Sequence, residues 1–160
     1  MAKSRIKMKL RLREQDFEKV FQCRTVSQND THSLGALMLA SFYNTIDYEG
    51  ETLEDAVQEV RETLNGKYGP FLENCSFLIE GRGLPLSAVL TVYSLETGIP
   101  LIAYTITDPD YANQGMATFL LKKSVAALLA SGYKEVFLVV TKGNASAYRV
   151  YEKLGFLPFE

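Results

Sequence analysis

The stretch TDPDYANQGMATFLL, from Thr107 to Leu121, sets a proline, a polar loop and a glycine between an apolar strand-like run and a helix-like run. A helix beginning near Gly115 leaves its first N–H groups without intrahelical acceptors, at the positive end of the helix dipole. Ala112, Asn113 and Gln114 add main-chain donors just ahead of it, and Met116 opens the helix itself. Gly115 lets a ligand approach the backbone closely, and Ala117 keeps a nearby position small. The chemistry this spacing suits is the holding of an anion, a diphosphate in particular. The plainer reading of a glycine at a helix start is turn geometry. Two familiar phosphate loops do not fit. A P-loop needs Gly-Lys-Ser/Thr, whereas Met116, Ala117 and Thr118 follow Gly115, and a dinucleotide fingerprint needs three spaced glycines and a later acid.

The elements that must position this junction can be read from periodicity. In RIKMKLRLR, over residues 5–13, Ile6, Met8, Leu10 and Leu12 alternate with cations, which predicts a strand with one basic face. That face is either solvated and protective against edge pairing or a docking surface for anions. FEKVFQCRTV extends this strand or forms a second short one. Leu34, Leu37, Met38 and Phe42 predict a helix from about Asp30 to about Asn44, with His32 an ordinary surface residue in its first turn. Thr52 and Asp55 form a capping-box pattern ahead of a second helix, whose stripe is Ala56, Val57, Val60 and Leu64 and whose stop is Gly66. Residues 75–107 then read as an antiparallel meander of three strands. A helix from Gly115 to Ala130 follows, then EVFLVV as a strand buried on both faces, then a helix from about Asn144 to Leu154 stopped by Gly155. The fold class is α/β: a mixed, mostly antiparallel central sheet with flanking helices and a parallel β-α-β crossover between Leu101 and Val140.

Composition bounds the function classes. The 160 residues are 47% hydrophobic and 22% charged, the profile of an ordinary globular chain, and residues 1–160 are expected to form one domain. No apolar run reaches the roughly 20 residues of a membrane span, and the N-terminus alternates where a secretory signal would be continuously apolar, so a cytoplasmic protein without a membrane partner is expected. A net charge of −2 argues against nucleic acid. Cys23, Cys75 and His32 cannot assemble a usual zinc site, so no metal is expected, and both thiols are read as buried and inert.

Two motifs give the C-terminal half a resemblance to a known family. TDPDYANQGMA places Pro109, Gly115 and Ala117 in register with a strand-loop-helix pattern, and NASAYRVYEKLGF places Asn144, Tyr151, Gly155 and Phe156 in register with an Asn-opened helix ending Tyr-x-x-x-Gly-Phe. On these the chain resembles the GNAT superfamily of acyl-CoA-dependent N-acyltransferases, over a span from about Val26 to the end. Ala112 stands where that family usually has Arg or Gln, and Asn113 where it commonly has Gly. Many relatives also have a further strand after Phe156, a place that a very short strand or a partner chain in a homodimer would fill.

The resemblance implies an N-acetyltransferase that moves an acetyl group from acetyl-CoA directly to a primary amine of a small molecule or protein. The alternative it leaves is a non-catalytic, regulatory CoA-binding module. It implies that Ile106 and Thr107 contact the pantetheine, that Ala112, Asn113, Gln114, Gly115, Met116 and Ala117 hold the diphosphate, and that Asn144 bonds the cofactor arm. Tyr151 would be the general acid for the thiolate. PLIAYTIT carries no carboxylate to serve as a base, so a water relay is implied, ending at Glu80, Glu96, Asp108 or Asp47. The loop TIDYEGE lies where the acceptor pocket is expected. Its acids either attract a cationic amine or are ordinary solvated charges, and Tyr43 and Tyr48 are candidates for the pocket wall.

Overall fold

The computed structural model describes residues 4–159. Its elements are β1 (Arg5–Arg11), β2 (Arg24–Thr25), α1 (Thr31–Phe42), α2 (Leu53–Leu64), β3 (Phe77–Gly81), β4 (Leu84–Ser94), β5 (Ile99–Thr107), α3 (Met116–Ala130), β6 (Glu135–Thr141), α4 (Ala145–Leu154) and β7 (Leu157–Phe159). The strands form one sheet in the order β2-β3-β4-β5-β6-β1-β7. Every pairing is antiparallel except β5 with β6, which meet in parallel at Leu101 and Phe137.

The alternation of the N-terminal run decides its place. Met8 and Leu10 are buried while Arg5, Lys7 and Arg11 are exposed, so one face of β1 packs and the other meets solvent. The strand ends at Arg11, two residues short of the expected span, although Leu12 still donates its N–H to the Lys134 carbonyl at 2.8 Å. On the solvated face Lys9 pairs with Glu135 at 3.3 Å and lies 4.9 Å from the Phe159 ring centre. β1 is inserted between β6 and β7. After Phe156 the chain forms a very short strand of its own, β7, which closes on β1 with three residues.

Helices pack on both faces. Leu34, Leu37 and Met38 of α1 and Ala56, Val60 and Leu64 of α2 form one core with Leu78, Ala88, Leu90 and Ile106 of the sheet. Phe119, Leu120, Val125 and Leu128 of α3 and Leu154 of α4 form the other with Met8, Leu10, Val89, Val136 and Leu138. Each of the larger side chains among them contributes about 1.5–3 kcal/mol by leaving water. The α2 capping box forms as read: Thr52 Oγ1 accepts from the Asp55 N–H at 3.1 Å, and an Asp55 carboxylate oxygen accepts from the Thr52 N–H at 2.9 Å. Such a cap is worth about 1 kcal/mol.

Two expectations need correction. β6 is not buried on both faces: Val139 is 39% exposed, where β5 has parted from β6 beyond Leu101. Cys75 is buried but Cys23 only partly so, with burial pushing both thiols above their ordinary range. Of the two readings of FEKVFQCRTV, the second short strand is the one found, as the two residues of β2. His32 is exposed. No helix of the described residues is long and apolar enough to cross a membrane.

Candidate active site

The site is made by a bulge. β4 pairs with β5 as Leu90 with Tyr104 and Thr91 with Ile102, so Ala103 is the extra residue in β5. A bulge shifts the alternation by one. Ile102 accordingly packs with the α3 core while Tyr104 and Ile106 face the α1–α2 side. The same bend accompanies the parting of β5 from β6, which opens the sheet into two clefts.

The first cleft, of about 520 Å³, lies between β5, β6, α2 and the loop after α1. Asp47, Glu49, Glu51, Asp55 and Glu59 line it, and among the described residues Arg5 is the one cation in its wall. Tyr68 and Tyr104 form an aromatic side. Tyr43 and Tyr48, expected there, instead pack edge to face on each other at 5.0 Å, outside the wall. Glu59 accepts from Lys67 Nζ at 2.7 Å and from the Tyr68 and Tyr104 hydroxyls at 2.6 and 2.5 Å. Burial works to raise its carboxyl, but these donors outweigh it and hold the group below its ordinary range. Burial, then Glu59, pushes both tyrosines up.

The second cleft, of about 300 Å³, lies between the end of β5, the loop before α3, and α4. Thr107, Ala112, Asn113, Gly115, Met116, Ala117, Asn144 and Tyr151 all line it, so most residues singled out from the sequence come together. Gly115 caps α3 at φ +89°, a left-handed backbone that favours glycine, and Asn113 also lies at positive φ, +62°. The first helical bond of α3 runs from the Phe119 N–H to the Gly115 carbonyl, leaving the N–H groups of Met116, Ala117 and Thr118 outside the helix ladder. Asn144 caps α4, its side chain accepting from the Ala147 N–H at 3.3 Å.

Two residues fall outside this wall. Ile106 is fully buried against α1 and α2, and Gln114 is exposed, its carbonyl accepting from Lys19 Nζ at 3.3 Å. The Thr107 N–H is already donated to Ser41 Oγ at 3.3 Å, and the Thr107 hydroxyl is 2.8 Å from that of Ser87.

Phe42, Asp47, Thr105, Asn144, Ala147 and Tyr151 line both clefts, so the two meet around them. Burial pushes the Tyr151 phenol above its ordinary range; the Thr105 hydroxyl opposes this and the Asp47 carboxylate adds to it. Thr105 Oγ1 is buried and makes no hydrogen bond of ordinary geometry among the described residues. Of the four carboxylates named as the end of a water relay, only Asp47 reaches this junction. Glu80 pairs with Arg24, Glu96 sits in the exposed β4–β5 turn, and Asp108 accepts from the Asp110 N–H at 2.9 Å. Sequence reading missed Thr105, Glu59 and Tyr104. Thr105 adjoins the strand positions that were named, but nothing local marks Glu59, which sits among the polar positions of an amphipathic helix.

Comparison with known proteins gives consistent results. A family model described as the acetyltransferase (GNAT) family matches residues 57–156. N-alpha-acetyltransferase 30 of Xenopus laevis is 38% identical over 56 residues, a stretch that is 35% of this chain and 20% of that protein. A GCN5-related N-acetyltransferase from Sphaerobacter thermophilus superposes with a TM-score of 0.73 at 16% identity, over 97% of this chain and 48% of that one. The ribosomal-protein-S18-alanine N-acetyltransferase from Escherichia coli gives 0.65 at 20% identity, over 87% and 79%. This chain thus spans about half of the Sphaerobacter protein and one fifth of the Xenopus one. At such identities the superpositions speak to the fold.

Proposed function

The chain belongs to the GNAT acetyltransferase family, and from that premise we propose that it moves an acetyl group from acetyl-CoA to a cationic primary amine of a small molecule or protein. The observation that carries this reading is the meeting of two clefts, one lined with main-chain donors and one with carboxylates, around Tyr151, Asp47, Thr105 and Asn144. The residues fit the donor. A diphosphate can lie against the N–H groups of Met116, Ala117 and Thr118 outside the α3 ladder, and the pantetheine arm can run along β5 past Thr105 toward Asn144.

Bound acetyl-CoA supplies a thioester whose carbonyl carbon is the electrophile. The carboxylates of the first cleft draw in a protonated amine, which loses one proton to solvent before attack, and Asp47, directly or through a water, takes the second as the C–N bond forms. As the C–N bond forms and the C–S bond breaks, Tyr151 gives its proton to the departing sulfur. A phenol with a raised pKa is fully protonated at neutral pH and ready for that step. The Thr105 hydroxyl is placed to steady the resulting phenolate until it is reprotonated. Two of the relatives named above, an N-alpha-acetyltransferase and a ribosomal-protein-S18-alanine N-acetyltransferase, favour a protein or peptide amine over a metabolite.

The deciding experiment incubates the protein with acetyl-CoA and a mixed panel of amines and peptides while free thiol is followed, with CoA binding measured by calorimetry. Amine-dependent thiol release is expected. Binding without thiol release from any amine would instead identify a regulatory CoA-binding module, and phosphate protection without preference for CoA over plain nucleotides would point to a generic anion-binding domain.

A further inference from the structure

We infer that Lys19, from the irregular segment between β1 and β2, supplies the side-chain positive charge that holds the diphosphate of the CoA donor. The inference rests on the reading of the second cleft as the CoA site. Among the described residues that cleft is lined by no lysine or arginine, and its one acidic lining residue is Asp47. The loop sequence ahead of α3 carries Asp108 and Asp110 and no cation. Main-chain N–H groups alone would therefore have to offset a diphosphate in a cleft whose one charged lining side chain is a carboxylate, an arrangement in which one added cation has a large effect.

Lys19 is the cation that reaches this loop. Its Nζ is 3.3 Å from the Gln114 carbonyl, and its stem crosses Gly115 so closely that a Cβ there would lie 3.1 Å from Lys19 Cδ. Its position is fixed by what flanks it. Phe17 and Phe21 both meet the ring of Phe119 on the first turns of α3, with centroids 5.6 and 5.7 Å apart, and Lys122 of α3 donates to the Asp16 carbonyl. The segment is thereby strapped across the start of α3 with Lys19 over the anion-holding end. The other α3 cation, Lys123, is turned away onto the Phe77 ring at 5.4 Å. A single exposed hydrogen bond to a carbonyl is readily exchanged in water for a charge-assisted one to phosphate, and rotation of the lysine stem accomplishes it.

The test measures affinity for CoA by calorimetry in the wild type, Lys19→Ala, Lys19→Glu and Lys19→Arg, at two salt concentrations, alongside KM for acetyl-CoA and for S-acetylpantetheine, which lacks the diphosphate. Expected are a roughly 5- to 30-fold loss of CoA affinity in Lys19→Ala, a larger loss in Lys19→Glu, retention in Lys19→Arg and a shallower salt dependence in Lys19→Ala. The effect should vanish with S-acetylpantetheine. Wild-type affinity for CoA in Lys19→Ala would overturn the inference while leaving the CoA site intact. An equal loss with both donors would overturn it as well, showing that Lys19 acts through the strap. A wild type that binds no CoA would remove the reading of the cleft and the inference with it.

Discussion

The Thr141 hydroxyl donates to Asp47 at 2.5 Å, joining the end of β6 to the loop after α1, and the other Asp47 oxygen is 3.4 Å from Asn144 Nδ2. The turn that opens α4 therefore orients the carboxylate placed at the meeting of the two clefts. If Asp47 takes the proton of the attacking amine, Asp47→Asn should lower turnover by roughly a hundredfold or more with little change in CoA affinity. Thr141→Val, which removes the orienting hydroxyl and keeps the carboxylate, should cost less. Steady-state kinetics with an identified acceptor check both, and undiminished turnover in Asp47→Asn would assign the proton to another group or to solvent.

Gly115→Val tests the diphosphate loop. At φ +89° any side chain is strained, and the new Cβ would also press on Lys19 Cδ, so a loss of roughly 1–3 kcal/mol in stability is expected, read as a lower Tm. The variant should still fold, because the position lies at a helix start, and it should bind CoA far more weakly. A folded variant with unchanged affinity would show that the loop has another role.

Glu59 sets an acid limit to stability. Its carboxyl is held below its ordinary value of 4.5 in the folded chain, so its interactions with Lys67, Tyr68 and Tyr104 stabilise fully above that value and are lost as pH falls through the lower, folded one. Denaturant unfolding followed through the acid range should show this decline, and in Glu59→Gln that part of it should be absent. The variant should be less stable than the wild type at neutral pH and differ from it less in acid.

Periodicity was enough to place four helices and the principal strands, since the α2 stripe, its Thr52–Asp55 cap and the alternation of β1 are local patterns. It was not enough to place β1 in the sheet, because strand order depends on which edge the chain returns to, and nothing in RIKMKLRLR names β6 as its neighbour. The bulge at Ala103 was hidden for a related reason. PLIAYTIT reads as part of one uninterrupted strand, yet one extra residue sends Tyr104 to the carboxylate side and Thr105 to the junction. The loop residues from Ala112 to Ala117 other than Gln114, and Asn144 and Tyr151, could be singled out because each set lies within one short run of sequence. Glu59 and Lys19 could not, for their significance comes from contacts across 45 and 95 positions.

Tyr151 separates catalysis from packing most sharply. It lies on α4 four residues before Gly155, and its ring meets Phe156 edge-on at 6.0 Å, so a purely structural role would be served by phenylalanine. Tyr151→Phe keeps that contact and deletes the proton donor. If the phenol protonates the departing thiolate, turnover should fall roughly tenfold to a thousandfold, with water rescuing part of the step, while CoA affinity and Tm barely move. The pH profile carries an independent sign. Burial raises this group above its ordinary 10.0, so it remains protonated throughout the neutral range, and any decline in rate from its ionisation must lie beyond that value. The rise of activity toward mildly alkaline pH, set by loss of the amine's proton, should therefore survive in the wild type and persist at a lower level in Tyr151→Phe. Equal turnover of the two proteins under conditions where chemistry limits the rate would make Tyr151 a packing residue and leave solvent or another donor to protonate the sulfur.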